Sequence, residues 1–316
     1  MGISPYIKEI GRGAQGARAL SREQAADLLC RVLDGHCSDF EIGAFCVAMR
    51  IKGETPDEMA GFLDALNRRL TKLPASDRPV VVLPSYNGAR KLPGLTALLA
   101  LLLAREGLPV LVHGTPTEDT RVGTQAVLAA LGVHPSAPHE RIDNGRVHFV
   151  ATERLHPGLK RLLDVRRAIG LRNPAHALVK LMNPVDGPAL VVASYTHPEY
   201  AESMGATFQL TRTPAMLLRG TEGEPVADAR RTPRMDVFTN GVARLVQEAQ
   251  SGPLRTLPAL PDTTSAAATA DYIRDVMAGR TPPPEPIACQ AEHIARACES
   301  IATENPLPFC PQQLAA

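Results

Sequence analysis

The sequence of 316 residues predicts an α/β fold with a small separate helical domain. Residues 1–75 carry the start signals of three capped helices, which we expect to form the helical domain together with helices near residues 157–182. From residue 76 to residue 316, short β-branched runs alternate with helical patterns. This alternation predicts a larger α/β domain whose central, mainly parallel sheet is covered on both faces.

Each helix of the first domain begins with a polar residue whose side-chain oxygen accepts a hydrogen bond from a backbone N–H group that has no partner within the helix. A Glu or Gln three residues later completes the capping box. The pairs are Ser21 with Gln24, Ser38 with Glu41, and Thr55 with Glu58. The third helix also carries an apolar stripe at helical spacing, which must pack against a partner surface. Its members are Met59, Phe62, Leu63, Leu66 and Leu70.

Five β-branched runs predict the strands of the sheet, at residues 80–83, 109–113, 147–150, 189–193 and 215–218. The patterns between them predict helices near residues 94–106, 121–131, 157–169 and 198–206. A proline-rich connection at residues 251–261 precedes two final helices near residues 265–278 and 286–303.

Composition excludes several classes of protein. An apolar content of 44% and a charged content of 21% are ordinary for a globular chain. The longest apolar stretch, residues 95–104, is about half of the roughly 20 residues that a membrane span needs. No export signal is evident, so we expect a cytoplasmic protein. A formal net charge of +1 gives no global field, and any site for a polyanion must be a local patch.

Three segments resemble anthranilate phosphoribosyltransferases in the same order along the chain. Residues 170–184, GLRNPAHALVKLMNP, resemble the family segment G-x-R-T-x-F-N-x-L-G-P-L-x-N-P. Residues 155–160, LHPGLK, resemble H-H-P-A-M-K, and residues 112–114, VHG, resemble K-H-G. The resemblance implies the fold of that family and of the class II nucleoside phosphorylases, in which a small helical domain joins a larger α/β domain.

The phosphate-binding loop departs from that family. There a G-T-G-G-D loop lets backbone N–H groups approach the pyrophosphate of phosphoribosyl pyrophosphate. Here the first strand is followed by PSYNGARK, residues 84–91. Pro84 has no N–H group to donate, and Tyr86 places a bulky ring where glycine would admit a ligand. A pyrophosphate cradle of the family's design is therefore not expected.

The family's magnesium-binding Asp-Glu pair is also altered. Glu222 and Glu224 stand near the corresponding place, but a glycine separates them. Because magnesium demands octahedral geometry, this shifted pair is only a weak metal candidate, and we expect neither metal nor cofactor. The alternative is a working phosphoribosyltransferase that holds phosphoribosyl pyrophosphate and Mg with an altered loop. A nucleoside phosphorylase is a third hypothesis.

Residues 6–13, 49–54 and 85–91 are similar to segments of the YbiB-type proteins, a second TrpD family. That resemblance implies a non-catalytic homodimer, joined through its N-terminal helices, that binds DNA or RNA with little sequence preference. Arg and Lys along the interdomain cleft would then neutralise phosphates.

The loop after the first strand and a later basic run supply the first candidate contacts. Tyr86 offers a ring that can stack on an unpaired base, and Asn87, Arg90 and Lys91 offer an amide and two cations. A solvated strand-to-helix turn is the alternative. The later run contains Lys160, Arg166, Arg167 and Arg172, for which a solvated helix face, locally paired with Asp164, is the alternative.

The remaining candidates come from positions that should border the same cleft. His113 ends a strand, where ligand-facing residues of α/β folds usually lie, although a structural histidine is the alternative. Arg50 and Lys52 follow the second helix and alternatively complement its dipole. The set is completed by Arg121, and by His176 and Lys180, which continue from Arg172 at helical spacing.

Overall fold

Two sheets organise the computed structural model, which describes residues 2–13, 15–254 and 257–304. The strands are β1 (Leu73–Pro74), β2 (Val80–Ser85), β3 (Val110–Gly114), β4 (Val147–Ala151), β5 (Val185–Asp186), β6 (Ala189–Tyr195), β7 (Ala215–Arg219), β8 (Met235–Thr239) and β9 (Val242–Gln247). The central sheet has the order β4-β3-β2-β6-β7-β8-β9, and β1 pairs with β5 in a parallel two-stranded sheet.

The predicted mainly parallel sheet is confirmed. The five predicted strands are β2, β3, β4, β6 and β7, and all of them pair in parallel. The hairpin of β8 and β9 extends one edge in antiparallel fashion and was not predicted. β9 is mostly exposed and places Arg244 among its apolar residues, so it lacks the continuous apolar run that marks a strand buried on both faces.

The helices lie on both faces of the sheet and in the amino-terminal bundle. They are α1 (Ser4–Ile10), α2 (Arg22–Leu33), α3 (Asp39–Lys52), α4 (Pro56–Asn67), α5 (Thr96–Arg105), α6 (Thr124–Ala130), α7 (Thr152–Leu155), α8 (Pro157–Ile169), α9 (Ala175–Leu181), α10 (Pro198–Thr211), α11 (Ala266–Met277) and α12 (Glu285–Glu304). Within the described ranges, none of these helices combines the length and the apolar character that crossing a bilayer requires.

The three predicted capping boxes are present at the starts of α2, α3 and α4. At α4, for example, the Glu58 backbone N–H donates to the Thr55 hydroxyl over 3.2 Å, and the Thr55 N–H donates to the Glu58 carboxylate over 2.9 Å. α1 precedes them and was not predicted, because it is short and no side chain caps it. Its last residue, Ile10, is nevertheless buried in the core of the bundle.

Two cores flank the sheet, and β2 contributes to both. Val80 and Val82 pack into the core shared with α2, α3 and α4, whereas Val81 and Leu83 pack into the core under α5, α11 and α12. Successive side chains of a strand point to opposite faces, so a strand covered on both sides must be apolar throughout.

α8 and α9 share the core of the amino-terminal helices. The domain boundary at residues 75 and 76 stays a prediction. The last 12 residues of the predicted α/β domain, 305–316, lie outside the described residues.

Candidate functional site: the basic cleft

A cleft of about 880 Å³ opens where the helical bundle meets the carboxyl ends of β2 and β6. The end of α3 and the start of α4 form one side, and α9 and the start of α10 form the other. Parallel strands end at the same edge of a sheet, which is why residues from distant segments meet here. The cleft is lined by the predicted residues Arg50, Lys52, Asn87, Arg90, Lys91, Arg121, Arg172, His176 and Lys180.

Glu224 holds the first half of the loop at residues 86–91. One carboxylate oxygen accepts the backbone N–H groups of Asn87 and Gly88, over 2.7 and 2.9 Å. The carboxylate is 3% exposed, so these are buried, charge-assisted hydrogen bonds. Its other oxygen accepts the hydroxyl groups of Ser85, Thr96 and Thr124.

Glu222 holds the second half of the loop. Its two oxygens accept the backbone N–H groups of Arg90 and Lys91, over 2.6 and 3.0 Å. Gly223, between the two glutamates, has a φ of 84°, and a Cβ at this position would lie 1.9 Å from the side-chain nitrogen Nδ2 of Asn87. The glycine that separates the two carboxylates is therefore required by the way they hold the loop.

The cations at the opening of the cleft differ in their pairing. Arg50, Arg90 and Lys91 are exposed, and in the described ranges no carboxylate forms an ion pair with their side chains. Lys52 is instead half-buried and paired with the buried Glu58, with 2.6 Å between its Nζ and the carboxylate. An ammonium engaged in this way is a poor phosphate ligand, so the predicted contact at Lys52 is corrected to a structural ion pair.

The wall at α9 carries three polar side chains of different character. The Arg172 guanidinium donates to the Asn87 side-chain oxygen over 3.2 Å. Lys180 donates to the backbone oxygens of Gly223 and Ser194, over 2.7 and 3.3 Å, and burial lowers the pKa of its ammonium to about 8. Burial likewise lowers the pKa of His176 to about 3, so its imidazole is neutral at pH 7.

Comparison with known proteins explains this arrangement of domains. A family model described as "Glycosyl transferase family, helical bundle domain" matches residues 4–69, and one described as "Glycosyl transferase family, a/b domain" matches residues 92–294. The Escherichia coli (strain K12) protein named "Uncharacterized protein YbiB" is 38% identical over 96% of this chain and 95% of its own length. The chain belongs to the glycosyl transferase family, as a YbiB-type member.

Anthranilate phosphoribosyltransferases are also similar to this YbiB-type chain. The enzyme of Anaeromyxobacter sp. (strain K) is 29% identical over 90% of this chain and 86% of its own length. The solved structure of the Thermus thermophilus enzyme has a TM-score of 0.69 at 23% identity, covering 95% of this chain and 90% of its own. The Saccharomyces cerevisiae enzyme, solved with PRPP and Mg, has a TM-score of 0.68 at 16% identity, covering 95% and 93%. These two structures establish the fold alone.

Magnesium and phosphoribosyl pyrophosphate, which the fold of this family implies, do not fit the residues of this YbiB-type chain. The carboxylate oxygens of Glu222 and Glu224 accept hydrogen bonds from N–H and O–H donors. A magnesium ion would need these same oxygens as ligands. Within the described ranges no group of three His, Cys, Asp or Glu residues could hold a metal ion. The weak metal candidates are thus corrected to anchors of the loop.

Tyr86 and His113 are buried and do not line the cleft. The Tyr86 ring is 3% exposed and its hydroxyl lies 2.8 Å from Nδ1 of His113. Thr152 donates to the same hydroxyl over 3.1 Å. The predicted stacking role of Tyr86 is wrong for this fold, because a covered ring presents no face to a base. His113 is also structural: burial lowers its pKa to about 3 and keeps the imidazole neutral.

The predicted basic groove along α8 is not formed, because its cations are paired with acids. Lys160 pairs with Asp164, and Arg167 pairs with Asp119 over 2.6 Å. Arg166 pairs with Glu118, which also holds Arg121 over 2.9 Å and lies 3.9 Å from Arg172. Lys160, Arg166 and Arg167 are thus corrected to members of ion pairs. The solvated-face alternative described the local pairing with Asp164, but it did not include Glu118 and Asp119, which lie in a distant segment.

Sequence reasoning missed three aromatic residues that line the cleft at the end of β6: Tyr195, His197 and Tyr200. Part of their signal was present, since Tyr195 and His197 lie within four residues of the end of the predicted strand at residues 189–193, where ligand-facing residues of α/β folds lie. Tyr200 falls within the helix predicted near residues 198–206. Glu118 was missed for a different reason. Its partner Arg166 lies 48 residues away, and no pattern in the sequence joins them.

Proposed function

We propose that this YbiB-type chain is a non-catalytic nucleic-acid-binding protein that holds DNA or RNA in the basic cleft with little sequence preference. One observation carries the proposal. The backbone N–H groups of Arg90 and Lys91 are taken by Glu222, while their side chains stay exposed and without a carboxylate partner in the described ranges. A loop built in this way is poorly suited to cradle a pyrophosphate and well suited to contact the phosphates of a strand.

The position of the cations supports the proposal despite the formal net charge of +1. Arg50 comes from the helical bundle and Arg90 and Lys91 from the α/β domain, yet all three line one cleft. A nearly neutral chain binds a polyanion only through such a local cluster. Arg and Lys side chains that neutralise phosphates read no base edges, which accounts for low specificity.

A homodimer joined through the N-terminal helices belongs to the same proposal. Phe40, Val47 and Ile51 stand at i, i+7 and i+11 on α3, so they share one helix face. Phe40 is 92% exposed and Ile51 66% exposed. A row of large apolar side chains in water is typical of a surface that a partner covers. If two copies of the chain met through this face, the row of each copy would cover the row of the other. The cytoplasmic location stays a prediction.

Titration of labelled single-stranded and duplex oligonucleotides, followed by fluorescence anisotropy at about 50 mM salt, tests the proposal. We expect each oligonucleotide to bind about as tightly as a control of the same composition and scrambled sequence. We also expect the affinity to fall steeply as the salt concentration rises. Absence of binding to every oligonucleotide at this salt concentration would contradict the proposal.

Phosphoribosyl transfer is the second candidate function. It is favoured by Arg172, which belongs to the segment that resembles the transferases and lines the cleft. Calorimetry with phosphoribosyl pyrophosphate and magnesium separates the two functions. Micromolar binding that disappears in a folded Glu224→Gln variant would favour the enzyme, and no heat of binding would favour the nucleic-acid-binding protein.

A further inference from the structure

His197 and Tyr200 form an exposed aromatic pair at the connection between β6 and α10. Their ring centroids are 6.4 Å apart and the ring planes are inclined by 54°. Both residues are exposed, Tyr200 by 38%, and both line the cleft. The half-buried Tyr195 continues the same wall towards the sheet.

Core packing does not explain this pair. The other aromatic pairs among the described residues are Phe45 with Phe62, Tyr86 with His113, and Phe208 with Phe238, and all of their members are buried. Burial is what normally stabilises such rings. An aromatic pair that faces a cleft instead has its ring surface available for a ligand.

The backbone holds this pair at a fixed place. His197 precedes Pro198, which restricts it to extended backbone, and its φ of −112° and ψ of 139° agree. Pro198 occupies the first helical position of α10, where its restricted φ suits the helix. Tyr200 therefore lies in the first turn of a regular helix, and little conformational freedom would be lost when a ligand packs on its ring.

The chemistry around the pair selects the kind of ligand. Arg50, Arg90 and Lys91, which have no carboxylate partner among the described residues, line the same cleft, and cations beside aromatic rings are typical of sites for single-stranded nucleic acid. A duplex keeps the faces of its bases inside the stack, where no side chain reaches them without unpairing. The cleft volume of about 880 Å³ lies within the range of small-ligand sites, about 300–1,000 Å³. Such a volume suits a few nucleotides of one strand better than a duplex.

We propose that Tyr200, together with His197, is a stacking platform for unpaired bases, and that the cleft takes single-stranded nucleic acid in preference to duplex. This inference rests on the proposed function. It names the strand form of the ligand and assigns to the start of α10 the stacking contact that the buried Tyr86 cannot make.

The test compares two labelled probes of equal length, about 12 nucleotides, which is within the usual range of site sizes. One is an oligothymidine and the other is an abasic strand with the same phosphates and no bases. Tyr200→Ala should weaken binding of the oligothymidine by about 5- to 150-fold, because the stacking of one base on an aromatic side chain has that magnitude. It should leave the affinity for the abasic strand and the salt slope unchanged, and Tyr200→Phe should restore binding.

Leu210→Ala is the matched control, since Leu210 is an exposed apolar residue of the same helix outside the cleft. The platform is refuted if Tyr200→Ala binds oligothymidine as tightly as the unaltered chain does. It is also refuted if the variant loses both probes equally, or if duplex of equal length binds more tightly than the single strand. In each of these results nucleic acid still binds, so the proposed function survives; only absence of binding to all probes removes both.

Discussion

Glu224 accepts a hydrogen bond from the backbone N–H of Asn87 over 2.7 Å, so a carboxylate that follows β7 binds a donor of the loop after β2. The two residues are 137 positions apart in the sequence. Glu224 also accepts the Gly88 N–H, and Glu222 accepts those of Arg90 and Lys91, so carboxylates of the chain itself bind four backbone donors of the loop. The Ala89 N–H donates to the backbone oxygen of Val122. What is left for a ligand at this loop is its side chains, which suits a polyanion held by cations.

Replacing Glu224 by Ala should destabilise the fold by about 2–5 kcal/mol, because two buried N–H groups would lose a charged acceptor. Glu222→Ala is the matched control. Glu222 is only half-buried and its donors belong to exposed residues, so water can replace it at a cost of about 1 kcal/mol or less. Urea denaturation measures both changes in the free energy of unfolding. Equal losses in the two variants would show that Glu224 is no more important than a surface carboxylate.

Much of the fold could be predicted because its signals are local or periodic. The capping boxes of α2, α3 and α4 lie within four residues each, and strands buried on both faces, such as β2, give continuous apolar runs. The edge strand β9 escaped prediction because its exposed residues need no such run. The alternation of strands and helices was sufficient for the sheet, and only its antiparallel edge was missed.

The candidate site was predicted less completely, and burial is the reason. The cations of the cleft stand at strand and helix ends, where sequence position indicates the role. Exposure of a given side chain depends on what packs over it, and the partner of the Tyr86 hydroxyl, His113, lies 27 residues away. Of the acids that neutralise α8, Asp164 lies on the helix itself, but Asp119 lies 48 residues from its partner Arg167. Such pairings follow from the topology of the sheet and have no counterpart in a sequence pattern.

Lys180 should make the stability of the fold depend on pH above neutrality. Burial lowers the pKa of its ammonium from 10.5 to about 8 in the folded chain. Between these two values the unfolded chain binds more protons than the folded one, so the free energy of unfolding rises with pH across that window. The gain is at most about 3 kcal/mol and is complete above the unfolded pKa. Below the folded pKa the full penalty of burying the ammonium is present.

Lys180→Met tests this linkage, because comparison with the unaltered chain cancels the titration of the other lysines. Urea midpoints measured from pH 7 to pH 10.5 should rise less in the variant than in the unaltered chain. Parallel curves for the two proteins would show that Lys180 titrates normally.

Phe40→Glu should dissociate the proposed homodimer without loss of stability. The side chain is 92% exposed in one copy, so a carboxylate there costs little in the monomer but would be desolvated in an interface. Sedimentation equilibrium measures the mass. Leu210→Glu places the same charge on an exposed position of α10 and should remain dimeric. A Phe40→Glu chain that sediments as a dimer would remove this face of α3 from the interface.

Charge reversal at Arg90 and Lys91 should flatten the salt dependence of nucleic-acid binding. Each lost phosphate contact reduces the slope of log affinity against log salt by about 0.7 for a single strand and about 0.9 for duplex, so the double variant should lose roughly 1.4 to 1.8. Arg161→Glu with Arg167→Glu changes the net charge equally on α8, where Arg167 is already paired with Asp119. Anisotropy titrations over a salt series should give this second variant an unaltered slope. If both variants flatten the slope alike, binding follows the overall charge of the chain, and the cations of the cleft have no special part in it.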